Sequence, residues 1–247
     1  MSLRPSRLIG LVPVLFLLAA CASTPAPVKS PEAYFKDGET ALAAKKYEDA
    51  ITQLKKVRES FANPELSMKA ELMIADAHYD NKEYVEASAG YEEYRKLHPR
   101  NEKASYALYR LSLANYRQII GIDTEQTPVK NAISAMESYL TQYPAGEYGA
   151  EIKQKLADCR IKQLEYENYV GNFYLRTDKY PSAIKRLNEA LVRFPGLPKL
   201  DDTLFYLGKA YLESGDKVQA KATLNRLLEK YPASPRVSEA VKLLKRT

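Results

Sequence analysis

The sequence predicts an all-α chain, an α-solenoid of about five stacked helix pairs with a long central helix and a C-terminal capping helix. Three observations predict it. One apolar phrase recurs five times at helical spacing, proline closes four copies at a fixed distance, and a small residue stands twelve positions before four of them. The 247 residues leave room for one elongated array or two ordinary domains. With 45% hydrophobic and 28% charged residues, the composition is globular and not disordered.

The first twenty residues stand apart from this pattern. Arg4 and Arg7 precede an apolar run from Leu8 to Ala20 that Gly10 and Pro13 interrupt. It is too short to span a bilayer comfortably, and residues 1–20 read as an export signal. The run ends Leu18-Ala19-Ala20-Cys21. Small residues before a cysteine resemble a bacterial lipobox, in which Cys21 becomes the acylated first residue; an ordinary secretory signal with an incidental cysteine is the plainer alternative. Acyl chains contribute about 0.8 kcal/mol per buried CH₂, so two or more would hold the protein on a membrane. Ala22, where an inner-membrane retention signal would carry Asp, favours the outer membrane with the protein facing the periplasm. Residues 21–31 carry Pro25, Pro27 and Pro31 and read as an extended tether.

The recurring phrase begins at Ala50, Ala87, Ala132, Ala183 and Ala220. Four residues on come Leu54, Tyr91, Met136, Leu187 and Leu224, then Val57, Tyr94, Tyr139, Ala190 and Leu227 at seven, and Phe61, His98, Tyr143, Phe194 and Tyr231 at eleven. Offsets of 0, 4, 7 and 11 share one stripe of an α-helix. Pro99, Pro144, Pro195 and Pro232 follow, and the residue before proline is pushed out of helical geometry. The first copy is two residues longer and is expected to stop at Pro64. Gly38, Ala75, Gly171 and Gly208 let a preceding helix approach closely, with Ala41, His78, Tyr174 and Tyr211 three residues further on. Short polar turns join the two helices of each pair.

Successive alanines are 37, 45, 51 and 37 residues apart, so two insertions are expected. One lies in the third copy around Gly121 to Thr124, if Ala114 fills the small position there. The other is a long helix over Glu147 to Arg176, which keeps helical periodicity without proline. A terminal helix is expected from Pro235 to Arg246, capped by Ser234, with Val237, Ala240, Val241 and Leu244 facing inward.

These offsets resemble the tetratricopeptide repeat, most clearly in KYEDAITQL, KYPSAIKRL and YLGKAYLESGDKVQA. A single pair cannot cover its own apolar face, whereas stacked pairs share one continuous core.

No phosphate-binding glycine loop, zinc-protease motif, nucleophile elbow or C-x-x-C occurs. His78 and His98 occupy packing positions, and adjacent carboxylates such as Asp201-Asp202 are poor acid–base partners. No catalytic residue, metal site or cofactor is expected. Cys159 reads as a buried hydrophobe. Residues 21–175 hold 20 Lys/Arg and 23 Asp/Glu, whereas residues 176–247 hold 15 and 8. The basic C-terminal part suits an acidic protein surface or anionic head groups, or is simply a solvated face. Nucleic acid is disfavoured by export and by the lack of a dense basic run.

The leader, the tether, the five copies, the long helix and the segment EYENYVGNFYLRTDKYPSAIKRLNEALVRFP together resemble the BamD family. Its members are the ComL-type lipoproteins of the outer-membrane β-barrel assembly machine. The resemblance implies a non-enzymatic scaffold, lipid-anchored at Cys21 to the outer membrane. It implies that residues 146–247 dock onto the periplasmic domain of the barrel-forming subunit beside other assembly lipoproteins. Arg186 matches the family's basic position, and Lys179 and Arg193 fall near the same face. Reversing Arg186 and Arg193 should then weaken docking and leave helicity intact. It further implies that residues 32–145 receive C-terminal segments of unfolded outer-membrane proteins. The repeat's inner positions would be Phe35, Glu39, Leu42, Asp76, Tyr79 and Asn115, although Phe35 and Tyr79 equally suit a core. A repeat lipoprotein for pilus assembly or envelope division is the alternative within binding proteins, and an envelope hydrolase or its activator the alternative outside them.

Overall fold

The computed structural model describes residues 29–60, 63–121 and 123–247. The leader, Cys21, most of the tether and Phe61 lie outside the described residues. Those described form eleven helices and no strand. In chain order these are α1 (Pro31–Ala43), α2 (Tyr47–Ser60), α3 (Pro64–Asp80), α4 (Tyr84–Leu97), α5 (Ala104–Arg117) and α6 (Thr127–Gln142). There follow α7 (Gly149–Arg176), α8 (Tyr180–Arg193), α9 (Leu200–Glu213), α10 (Lys217–Lys230) and α11 (Val237–Leu244). Each helix packs on the next, giving five antiparallel pairs and a terminal helix.

The repeated phrase maps onto the second helix of every pair. All five alanines and all five residues four positions on are fully buried. The small positions explain the close approach within a pair. A Cβ built on Gly38, Gly171 or Gly208 would lie 2.6–2.8 Å from the side chain of Leu54, Leu187 or Leu224, respectively. Proline acts as expected in four copies. His98, Tyr143, Phe194 and Tyr231 all leave the helix at φ between −125° and −133° with ψ of 54–63°. Pro64 differs: it opens α3, behind Asn63, whose side chain caps the Leu66 N–H. Pro31 likewise belongs to α1 and not to the tether, because Ser30 caps the Ala33 N–H.

The turn inside four pairs is one motif repeated. Lys45, Lys82, Asp178 and Gly215 sit in the left-handed region. The next residue's N–H returns to the carbonyl of Ala41, His78, Tyr174 or Tyr211, at 2.9 Å each time. This is a Schellman closure, and only one of the four uses the glycine it favours. The third pair lacks it, since Gln118 to Gln126 connect its helices.

That connection hid the register of α5. The small position stands five residues before the end of α1, α3, α7 and α9, and the same rule gives Ser112, not Ala114. Ser112 is fully buried, with its hydroxyl returned to the Leu108 carbonyl. The insertion is two residues longer than the Ala114 register implies.

The long helix α7 joins two parts of the core. Its first half, to Cys159, packs in the cluster that contains Tyr91, Met136 and Tyr139. From Leu164 onward it packs against α8 and α9. The terminal helix begins two residues later than expected. Ser234 and Pro235 precede it in a turn, with the Ser234 hydroxyl donating to Asp201 and Arg236 pairing with Asp202 at 2.6 Å. Ala240 is buried there, but Val241 faces solvent and Leu243 packs inward in its place.

Candidate functional site

The inner face of the N-terminal pairs is built on α3 and α5. Asp76 accepts hydrogen bonds from the hydroxyls of Tyr91 (2.6 Å) and Tyr106 (2.9 Å) and lies 3.4 Å from Arg110. Arg110 in turn donates to the Tyr91 hydroxyl at 2.9 Å and to Asp80 at 3.3 Å, and its guanidinium stacks 3.9 Å over the Tyr79 ring. Burial raises the Asp76 carboxyl above its usual range, against the two phenols and Arg110. The Tyr91 phenol is also pushed up, first by burial and then by Asp76. Next along, the Tyr109 and Tyr148 rings stack at 4.0 Å, and the Tyr109 hydroxyl donates to Glu151. This face is aromatic, joined by hydrogen bonds and edged with carboxylates.

The sequence-derived inner positions divide. Asp76 and Tyr79 belong to this cluster. Phe35 and Leu42 pack, partly buried, into the apolar cluster of the first pair, and Glu39 is exposed. Asn115 does not join them. On α5, Tyr106 and Arg110 face Asp76, whereas Leu108, Leu111, Asn115 and Gln118 line a separate cleft between α4 and α6. Asn115 was placed by the Ala114 register, and the shift to Ser112 puts it on the other side of the helix.

The basic candidates of the fourth pair also divide. Lys179 is exposed at the start of α8. Arg186 and Arg193 converge instead on one buried residue, Glu167 of α7, which is only 8% exposed. Arg186 Nε lies 2.6 Å from Glu167 Oε2, and Arg193 lies 3.4 Å from Oε1. The Arg186 N–H does not point at that oxygen, so Nε is buried without a hydrogen bond. Arg186 also sits over the Tyr166 ring at 5.5 Å. A cavity of about 420 Å³ opens beside the pair, bounded by Lys130, Gln163 and the loop before α6.

Sequence reasoning missed Glu167 and Arg110. Glu167 had a legible signal: it interrupts the buried stripe Leu164, Asn168, Gly171 and Leu175 on α7. A carboxylate in such a stripe needs a cation from another helix. The histidines are tied inside the second pair, His78 to Glu83 at 2.6 Å and His98 to Glu71 at 2.7 Å. Cys159 is fully buried, and burial pushes its thiol up to about 12.

Stacked helix pairs with an aromatic inner face define a helical-repeat protein of the kind that works by surface contact. No group of three or more metal-binding side chains occurs among the described residues. Residues 27–227 match the model of the YfiO family, described as outer membrane lipoprotein, and the chain belongs to that family. Outer membrane protein assembly factor BamD of Caulobacter vibrioides is 26% identical over 213 residues, covering 83% of this chain and 69% of that protein. The BamD of Vibrio cholerae is 26% identical over 193 residues, covering 73% and 80%. Among solved structures, the TPR2AB-domain complex of yeast Sti1 overlaps 87% of this chain and 88% of its own, at 16% identity and a TM-score of 0.42. No helix among the described residues is long and apolar enough to cross a membrane.

Proposed function

We propose that this chain is a non-enzymatic lipoprotein scaffold that assists the assembly of β-barrel proteins into the outer membrane. The observation that carries the proposal is the family match over residues 27–227, together with relatives named as outer membrane protein assembly factors. Acylation of Cys21 anchors it, and the tether sets the helix pairs in the periplasm. The fourth and fifth pairs dock onto the periplasmic domain of a barrel-forming subunit, with other assembly lipoproteins nearby. Lys179, Arg186 and Arg193 serve that surface, which fits the basic balance of residues 176–247. The first three pairs receive extended segments from unfolded barrel proteins. Asp76 and Tyr79 on the aromatic inner face contact them, with Phe35, Glu39 and Leu42 extending the track toward α1. Alternating apolar and polar groups suit a strand-like peptide. A role in pilus assembly or envelope division has no comparable support from the named relatives.

Affinity purification of the detergent-solubilised lipoprotein tests the proposal. A barrel-forming subunit should be recovered with it; repeated recovery without one would defeat the proposal. Cys21→Ser should release the protein into the soluble periplasmic fraction, and persistent membrane attachment would remove the anchor.

A further inference from the structure

The fifth pair and the terminal helix meet in a corner whose cations have no partners. Of the 15 Lys/Arg of residues 176–247, only Arg186, Arg193, Arg236 and Arg246 are in ion pairs among the described residues. Arg246 reaches Glu213 at 3.1 Å, which sets the end of α11 beside the end of α9, and the turn Ser214-Gly215-Asp216 leads from there into α10. Lys217 and Lys221 at the start of α10, and Lys242 and Lys245 at the end of α11, therefore share this corner, and all four are exposed. We propose that the corner is a membrane-contact surface that rests on anionic phospholipid head groups. The inference rests on the lipoprotein reading above for its nearness to a membrane, and goes beyond it by adding a second attachment.

The acidic side chains of this region are already engaged: Glu213 by Arg246, Glu239 by Arg236 at 3.5 Å, and Asp216 as the cap of the Gln219 N–H. The corner is left with net positive charge. Folding alone does not favour this arrangement. A cation at a helix N-terminus opposes the helix dipole, and α10 opens on Lys217 with no acidic residue in its first turn, unlike α2 and α9. Val218 stands between Lys217 and Lys221 and is 78% exposed, and Val241, beside Lys242, is 41% exposed. Lysines flanking an exposed aliphatic side chain are the chemistry of an interfacial helix, with ammonium groups at the phosphates and the apolar side chain at the acyl boundary. The four free cations of the corner are all lysine. Flexible point charges suit head groups that diffuse, whereas a fixed protein carboxylate is better met by an arginine fork. A lipid surface is therefore favoured over an acidic protein. The anchor precedes α1, at the opposite end of the series of pairs, so the two attachments together would lay the pairs along the membrane.

The test uses the Cys21→Ser chain without its leader, so that no acyl chain contributes, and measures its binding to vesicles. It should bind mixed phosphatidylethanolamine–phosphatidylglycerol vesicles, release them at high salt, and ignore phosphatidylcholine vesicles. Lys217→Gln/Lys221→Gln should weaken binding by about twentyfold, at about fivefold for each lysine near an anionic surface. Lys36→Gln/Lys153→Gln, an equal loss of exposed charge on α1 and α7, should change it far less. An environment-sensitive fluorophore on Val218→Cys should shift to the blue on the mixed vesicles, and one on Val85→Cys should not; Cys159 is buried and stays unlabelled. Equal effects of the two double variants, or a Val218→Cys fluorophore that stays in water, would overturn the proposal. So would a Lys217→Gln/Lys221→Gln chain that binds vesicles normally but, as the full-length lipoprotein, no longer recovers its barrel-forming partner; the corner would then be a protein surface. Normal recovery of that partner together with a failed vesicle assay would leave the scaffold reading in place and remove the membrane contact alone.

Discussion

Removing Arg186 should destabilise the junction between α7 and α8 before it says anything about docking. Glu167 is 8% exposed, and Arg186 at 2.6 Å is its principal cation; Arg193 is longer, at 3.4 Å, and more exposed. Breaking a buried pair from one side costs about 3–5 kcal/mol, because the remaining charge stays buried and unpaired. Arg193 can take over part of that role, so Arg186→Ala should cost about 3 kcal/mol, the low end of the range. In a chain of this size that corresponds to a fall in Tm of about 6–12 °C. Arg193→Ala should cost under about 1 kcal/mol, as for other exposed pairs. The double variant Arg186→Ala/Glu167→Gln should recover much of the loss, with a coupling energy of about 2 kcal/mol. Urea and thermal unfolding in the Cys21→Ser chain, followed by circular dichroism, would measure these three and the single Glu167→Gln variant that the coupling requires. An Arg186→Ala loss within about 0.5 kcal/mol of zero, the range of ordinary surface changes, would refute the reasoning, as would simple additivity in the double variant. Charge reversal at Arg186 would set two carboxylates against each other. Reversing Arg186 together with Arg193 should therefore disturb the α7–α8 junction as well as docking, and Lys179 and Arg193 are the sounder probes of docking.

Other outcomes follow from the repeat geometry. Gly208→Ala places a Cβ 2.7 Å from Leu224 and should destabilise by about 1–3 kcal/mol in urea melts, as overpacking does; a neutral result would show that the fifth pair is looser than described. Lys82→Gly relieves a left-handed turn at φ 66° and should stabilise by about 0.5–1 kcal/mol, whereas Gly215→Ala at φ 90° should destabilise by a similar amount. Thermal melts in which Lys82→Gly destabilises or Gly215→Ala stabilises would contradict the shared turn. Burial pushes the Cys159 thiol up to about 12, so at pH 8 almost none is thiolate. In the Cys21→Ser chain a maleimide should label Cys159 only after denaturant is added; fast labelling of the native chain would place it at the surface.

Much of the fold was legible because one stripe, repeated five times, leaves few ways to bury itself. The positions of Ala50, Leu54 and Val57, and their counterparts, are core positions in every pair. What was misread lay where the repeat departs from its own rule. Ser112 and Ala114 are both small and both buried, and only the end of α5 separates them. Asn115 inherited that error. Pro64 and Pro31 read in the sequence as the ends of segments, whereas each opens a helix, because Asn63 and Ser30 supply caps. Arg186 was visible as a charge, but its partner is on another helix, and tertiary ion pairs leave no periodic trace. The inner cluster around Arg110 was hidden for the same reason: Asp76, Tyr79 and Tyr91 come from α3 and α4 and meet Arg110 only across the stack.

Depleting the protein from living cells, and then measuring the amount of newly made barrel protein that reaches its folded, detergent-resistant form in the outer membrane, addresses the central claim most directly. The account predicts a broad fall across unrelated barrels, restored by the wild-type chain. Undiminished folding of those barrels in fully depleted cells would contradict it.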